Sequence, residues 1–257
     1  MVGPNVSPRD GVSGYASDPT QGPACALACP AATVFRNYLA PVGGGATGQG
    51  AVQIDTLEDV GEVLGGPRAY WTMKNGYCMP VDTGAMRRLG DRLRADDSLR
   101  ARCESSLRVG FHPEAAVGAR PGGHRVAQVF CSALPVAYAK STASRDWEGF
   151  ARAVLRSCYS STLHCARLLS IERGGERVAV FLTCVGGGAF GNRDAWIFDA
   201  IAAAVDEHGA APLDVYLLHR GGVVPSAFPK LRGAKAMEAA ELMRACEKRR
   251  AHAPGVR

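Results

Sequence analysis

The chain has 257 residues, 47% of them hydrophobic and 21% charged, with 31 Gly and 15 Pro. This composition excludes a collagen-like or wholly disordered chain, and the length suffices to bury roughly 70 to 75% of the surface an unfolded chain would expose. The formal charge is +6, but eight Lys/Arg against three Glu between Lys230 and Arg257 place +5 in the tail and leave the body near neutral. Attraction for polyanions would therefore come from the tail, as a weak nucleic-acid contact or nuclear-import signal; the alternative is a solvated basic helix over about 230–250.

No run reaches the ~18 consecutive apolar residues of a membrane helix, and the Gly- and Pro-rich start lacks the basic-then-apolar order of a leader, so neither is expected. Nine cysteines, an odd number without CxxC pairs, fit reduced thiols in the cytoplasm or nucleus better than a disulfide framework or a zinc site.

In chain order, the first twenty residues read as loop. Ala24 to Leu39 has helical spacing punctuated by Pro30 and Pro41, which predicts a short first helix opening near Pro23. Val42 to Gly50 is a glycine-rich loop. Tyr70 to Cys78 predicts two short strands about an Asn75-Gly76 turn. Met86, Leu89 and Leu93 among arginines predict a surface helix between Asp82 and Asp96 with one buried stripe. Leu107–Phe111 and Val126–Leu134 read as strands. Trp147 to Leu169 carries one broad apolar face and predicts a core helix, and Trp147 and Trp196 read as core residues at helix starts.

The clearest unit follows. Arg177 to Val185 is continuously apolar and β-branched, as a strand covered on both faces would be. Gly186-Gly187-Gly188-Ala189-Phe190-Gly191 comes next. Trp196, Ile197, Ala200, Ile201, Ala204 and Val205 then mark a helix ending near Gly209, and Leu213 to His219 a further strand. Strand, glycine loop, helix, strand is a βαβ unit with parallel strands.

A loop between a parallel strand and a helix gathers backbone N–H groups beside the positive end of the helix dipole, where a phosphate is the natural guest. Glycine lets the backbone approach such a ligand closely. The string G-x-G-x-x-G alone is weak, because Gly43, Gly45 and Gly48 match it too without a preceding strand. A dinucleotide fold wants a carboxylate at the end of the next strand, where Leu218-His219-Arg220 stands; a P-loop wants Lys-Ser/Thr where Asn192-Arg193 stands.

The order of a strand from His124 to Tyr138, a long helix containing Cys158 to Leu163, the strand Val178 to Val185 and Gly186 to Gly191 resembles the macrodomain fold. It resembles more closely a group of macrodomain-like proteins that pair a Thr-Gln-Gly-Pro-Ala-Cys-Ala segment and an Arg-Asn-Tyr with Gly-Gly-Gly-Ala-Phe-Gly-Asn, here Thr20 to Ala26, Arg36 to Tyr38 and Gly186 to Asn192. The resemblance implies one α/β domain over 1–257, a three-layer sandwich with a mixed central sheet and helices on both faces, with an insertion over about 53–114. It further implies a cleft for ADP-ribose or an ADP-ribosylated partner. Gly186, Gly187, Gly188, Ala189, Phe190, Gly191 and Asn192 would wrap the diphosphate, with Phe190 beside the distal ribose. Gln21, Gly22, Pro23, Ala24 and Cys25 would form the facing loop, and Leu218, His219 and Arg220 would border the adenosine end.

The chain departs from hydrolytic members of that family, whose first loop carries Asn residues, glycines and often an Asp. Asp10 and Asp18 are the only carboxylates nearby in sequence, and turn formation accounts for each. Binding of ADP-ribose is thus the expected role, with an ADP-ribosyl hydrolase and a protein-interaction module with a decayed nucleotide site as alternatives. No separate cofactor is expected. Cys25 and Cys29 read as small hydrophobes near a helix start, His124, His164 and His219 lack ligand spacing, and Ser132 and Ser160 lack a nucleophile-elbow setting.

Overall fold

The computed structural model describes residues 11–17, 21–118, 123–219 and 234–238, together with 241 and 244. Its elements are α1 (Gln21–Ala28), α2 (Pro30–Val34), α3 (Glu58–Val63), β1 (Trp71–Lys74), β2 (Tyr77–Pro80), α4 (Ala85–Ala95), α5 (Asp97–Ser106), β3 (Gly110–Ala116), β4 (Arg125–Phe130), α6 (Glu148–Glu172), β5 (Val178–Leu182), α7 (Asp194–Glu207), β6 (Leu213–His219) and β7 (Ala234–Glu238). The protein is a mixed α/β structure. Among the described residues no helix is long and apolar enough to cross a membrane.

α6 organises the core. Its residues Phe150, Leu155 and Leu163 are wholly buried, and it packs against α4, α5, α7 and the β5–β6 strands. The predicted stripe of α4 is buried as expected, with Met86 and Leu89 at 0% exposure and Leu93 at 1%. Where α4 crosses α6 the backbones meet: a Cβ on Gly149 would lie 2.6 Å from the Gly90 Cα and 2.9 Å from its carbonyl oxygen. Trp71 of β1 stacks on Phe150 with ring centroids 5.2 Å apart, and Trp147 and Trp196 are buried in the same cluster. The segment read as an insertion over 53–114 therefore supplies part of the main core, through Trp71, Met86, Leu89, Leu93, Leu99 and Cys103.

The β1–β2 hairpin has the predicted two-residue turn. Lys74 pairs with Tyr77, and Asn75 (φ 49) and Gly76 (φ 76) both take the left-handed conformation such a turn requires. β3 and β4 pair antiparallel with a bulge between His112 and Ala115. β3 begins at Gly110 rather than Leu107, because Leu107 is buried in the main core and Arg108 bonds to Asp59 and Glu58 across the α3 surface. β4 stops at Phe130, short of the expected Leu134.

The first helical segment is divided. Cys29 (φ −125, ψ 68) separates α1 from α2, with Pro30 at the first position of α2, and a π-helical turn spans Phe35–Leu39. Cys29 and Ala32 pack on Ala115 in a second, smaller cluster, which agrees with reading Cys29 as a small hydrophobe.

The parallel βαβ unit is present: Val178 pairs with Leu213 through to Leu182 with Leu217. Three expectations are corrected around it. First, the strands form two antiparallel hairpins and one parallel sheet of order β5-β6-β7, with no ladder joining them into one mixed sheet among the described residues. Second, β5 is buried on one face only. Val178, Val180 and Leu182 turn toward the core, whereas Phe181 is 47% exposed and stacks on Tyr216 at 5.3 Å. A continuous apolar run does not distinguish one covered face from two. Third, Ala234–Glu238 lies within the predicted basic helix yet pairs in parallel with Val215–His219 as β7. Ala-Lys-Ala-Met-Glu has helix-forming propensity, but the open hydrogen-bonding edge of β6 outweighs it. Apart from 241 and 244, the rest of that predicted helix lies outside the described residues.

Gly149→Ala is expected to destabilise the protein by about 1–3 kcal/mol through forced separation of α4 and α6. Gly90→Ala, whose added carbon would sit at ordinary contact distances of 3.4 Å and beyond, is expected to cost less. Urea unfolding of both variants checks the order.

Candidate functional site

β5 ends at Leu182, and the chain turns through Thr183, Cys184 and Val185 into the glycine loop. One side chain of α6 holds that turn. The Tyr159 hydroxyl donates to the Thr183 carbonyl oxygen at 2.7 Å and accepts from the Val185 N–H at 2.9 Å, with Tyr159 only 2% exposed. Burial, slightly offset by the Val185 amide, holds its phenol well above the ordinary range, so it works as a neutral hydrogen-bonding group.

The loop closes on itself. Gly187 N–H donates to the Cys184 carbonyl at 3.1 Å, Gly191 N–H to Gly188 at 3.0 Å and Asn192 N–H to Gly186 at 2.9 Å. Gly186 (φ +79) has no room for a side chain, since a Cβ would strike Ala133 and the Asn192 amide group; Gly191 (φ +70) faces Ala137 in the same way. Asn192, 3% exposed, donates through Nδ2 to Leu134 at 2.9 Å and Gly186 at 3.2 Å. Its Oδ1 is buried without a partner among the described residues. Thus the extended segment Cys131–Pro135, just beyond β4, forms one flank of the loop.

The expectation that the whole loop offers its amides to a ligand is therefore corrected. Those of Gly187, Gly191 and Asn192 are used internally, because closing so tight a bend consumes them. The N–H groups of Gly188, Ala189 and Phe190 have no hydrogen-bond partner among the described residues, and Gly188 and Ala189 are exposed. An added Cβ on Gly188 would meet nothing within 4 Å. The N-terminus of α7 follows directly. Asp194 in its first turn opposes an anion there, and the Arg193 guanidinium, lying 5.3 Å from the Trp196 ring centroid, brings a compensating charge to the same turn.

Phe190 does not stand free. Its ring packs edge-on against Tyr138 at 5.3 Å and Tyr77 at 5.9 Å, the latter from the β1–β2 hairpin, while its carbonyl accepts from Ala137 N–H at 2.9 Å. The cavity bordered by Phe190, Tyr77, Met73 and Ser132–Pro135 is about 30 Å³. Nothing in the sequence signalled that hairpin as a wall of the site.

Leu218 and His219 reach the same end of the sheet as the loop, since Leu217 pairs with Leu182. Gln21–Cys25 lies within α1, which packs on α2 and on the 3-10 turn Ser13–Ser17, while Ala28 at its end accepts from Gly118 beyond β3. These five residues are helical rather than a loop. Side-chain contacts of Gln21, Gly22, Pro23 and Ala24 lie outside the description, and so do Asp10, Asp18 and Arg220. The Gly43–Gly50 segment is a self-contained turn. Val42, Gly48 and Gln49 donate to Ala46, Ala40 and Asn37, and Gly48 (φ +74) sits against the Tyr38 backbone.

A larger cavity, about 880 Å³, opens between α4, α5, α6 and α7. Its charges are largely matched: Arg152 bonds Glu148 and Asp199 at 2.8 Å each, and Arg94 pairs with Asp91. Such half-exposed pairs contribute about 0–1 kcal/mol each and cancel most of the local field. The sequence reading missed this groove, because its residues come from helices far apart in the chain.

His164 and His208 approach with ring centroids 6.0 Å apart, and His208 Nε2 lies 3.4 Å from Ser160 Oγ, a pairing the sequence reading did not anticipate. No carboxylate orients His208 Nδ1, which is buried and unpartnered among the described residues, so this Ser–His pair lacks the third member of a hydrolase triad. Among the described residues no group of three His, Cys, Asp or Glu side chains is placed to hold a metal. Burial is the main cause that pushes the His208 imidazole below its ordinary range; Glu207 opposes it and His164 and Arg167 reinforce it. Burial, then Arg36, acts likewise on His112.

No family model matches the chain, and no curated protein and no solved structure is significantly similar to it.

Tyr159→Phe is expected to cost about 1 kcal/mol, since the Val185 N–H keeps its 2.9 Å bond to the Thr183 carbonyl but both lose the hydroxyl, and to speed hydrogen exchange at Val185. Both are read by denaturation and amide exchange. Because the folded state holds His208 and His112 below the unfolded value of about 6.5, the unfolded chain binds more protons below that pH. Stability is complete above it and falls as pH drops from there toward the folded values; His208→Gln is expected to flatten that slope in urea titrations run across this range.

Proposed function

We propose that the protein binds the diphosphate of ADP-ribose, of a related nucleotide, or of an ADP-ribosylated protein, on the amides of Gly188, Ala189 and Phe190. One observation carries this reading. Among the described residues, three consecutive backbone donors stand without partners between a parallel strand and the start of a 14-residue helix, on a loop in which the amides of Gly187, Gly191 and Asn192 are used internally. Preorganised donors of this kind lose little entropy on meeting an anion.

The order β4, α6, β5, glycine loop, α7, β6 supports a macrodomain-like arrangement, and in that reading Leu218 and His219 border the adenosine while Phe190 lies at the distal ribose. Tyr138 and Tyr77 then hold the Phe190 ring in place. An ADP-ribosyl hydrolase would need a carboxylate such as Asp18 near that ribose, and Asp18 lies outside the described residues.

The cavity beside the loop favours a second reading. At about 30 Å³ it is far below the roughly 300–1,000 Å³ that encloses a small ligand, so a nucleotide would lie across an open surface. An interaction module, in which the same three amides meet carbonyl groups of a partner protein, needs no enclosed cleft.

Calorimetry separates the two. ADP-ribose is expected to bind the wild-type protein, and Gly188→Glu is expected to abolish the heat by setting a carboxylate at the phosphates. Because the added side chain points into open space, the variant should unfold at the same urea concentration as the wild type. If neither ADP-ribose nor an ADP-ribosylated protein binds the wild type, the nucleotide reading is overturned.

A further inference from the structure

Two cysteines lie at the base of the glycine loop. Cys131 follows β4 and Cys158 is in α6, and their sulfurs are within hydrogen-bond reach of one another. Cys158 Sγ lies 3.8 Å from the Ser132 carbonyl oxygen, one residue beyond Cys131, and the Thr162 hydroxyl donates to the Cys158 carbonyl at 2.7 Å. Cys131 is partly exposed, whereas Cys158 is 1% exposed.

Each sulfur is one residue away from a support of the loop. Cys131 precedes Ser132-Ala133-Leu134, whose Ala133 packs on Gly186 and whose Leu134 carbonyl holds Asn192. Cys158 precedes Tyr159, whose hydroxyl ties Thr183 to Val185. A bond drawn between the two sulfurs would act on both supports at once.

We propose that Cys131 and Cys158 are a reversible oxidation site, closed to a disulfide by a peroxide, and that this bond resets the seat of the 186–192 loop. The inference rests on the loop's supports and is independent of what the loop binds. In the first step the Cys131 thiolate attacks one oxygen of hydrogen peroxide. An S–O bond forms, the O–O bond breaks, and the departing hydroxide takes up the proton released by Cys131 to become water. In the second, the Cys158 sulfur attacks the Cys131 sulfenic acid; the S–S bond forms, the S–O bond breaks, and hydroxide leaves with the Cys158 proton as a second water. Two thiols are oxidised by two electrons and one peroxide is reduced. A dithiol reverses the change.

The acid–base character of the pair supports the sequence of attack. A Cys131 thiolate accepts a hydrogen bond from the Cys158 thiol, which lowers the first ionisation against the opposing effect of burial, while donating that bond, then burial and the adjacent charge, raise the second. Cys184, near Tyr159, is the natural competitor, and burial raises its thiol.

The reduced full-length chain is treated with hydrogen peroxide, blocked with a maleimide under denaturing conditions and digested with trypsin. The expected product is a linked pair of peptides, 126–140 and 157–167, with fragmentation placing the second sulfur at Cys158 rather than Cys165. The intact mass falls by two hydrogens, and dithiothreitol restores it. Amide exchange over 183–192 is expected to differ between the reduced and oxidised forms. Cys131→Ser should show neither the link nor an oxidant-dependent change in exchange; if that variant does not fold, the wild-type peptide map still decides. Thiols that remain fully alkylatable, a link through Cys184 or Cys165 in place of Cys158, or identical loop exchange in the two forms would overturn the proposal.

Discussion

Burial of α6 is the constraint on which the rest of the structure depends. Phe150, Leu155 and Leu163 are wholly removed from water, and α4, α7 and the β5–β6 strands close on the face that carries them. At about 1.5–3 kcal/mol for each large side chain removed from water, this is the dominant favourable term available to the chain. It has a geometric consequence. Gly90 and Gly149 let two backbones touch, and the polar atoms carried on the same helix, above all the Tyr159 hydroxyl, are delivered to fixed positions at the end of β5.

That delivery fixes the course of the glycine loop. Backbone groups near a buried core must find partners, and the loop satisfies Gly187, Gly191 and Asn192 internally while Tyr159 and Asn192 tie it to its surroundings. The same amide cannot serve both the bend and a phosphate. What is left for a ligand is the short stretch from Gly188 to Phe190, narrower than the six-residue motif suggests and open to solvent.

Periodicity made much of the architecture legible. The stripe Met86, Leu89, Leu93, the broad face of Trp147 to Leu169 and the recurrence from Trp196 to Val205 each report a single helix packed on a core, which is a local property of 3.6 residues per turn. The Asn75-Gly76 turn was equally plain, because few residues tolerate positive φ at two successive positions. The misses share a cause. Whether Phe181 is covered, whether Ala234–Glu238 joins a strand edge, and whether Tyr77 walls the loop depend on partners distant in sequence. At the site, the glycines could be placed between strand and helix, but which of their amides remained free could not, since that follows from bonds to Cys184, Gly186 and Gly188 made only when the loop closes.

The order of residues by itself determined the helices α4, α6 and α7, the parallel βαβ unit and the position of a glycine-rich bend at its centre, because these follow from side-chain spacing and from the dihedral freedom of glycine. Among the described residues, only the tertiary structure decided the division of the strands into separate small sheets, the pairing of β7 with β6, the meeting of Cys131 with Cys158 and which loop amides are used internally. Each of those outcomes is a competition between alternative partners for the same hydrogen-bonding group or apolar surface, and such a competition is resolved by proximity in space, which no local pattern encodes.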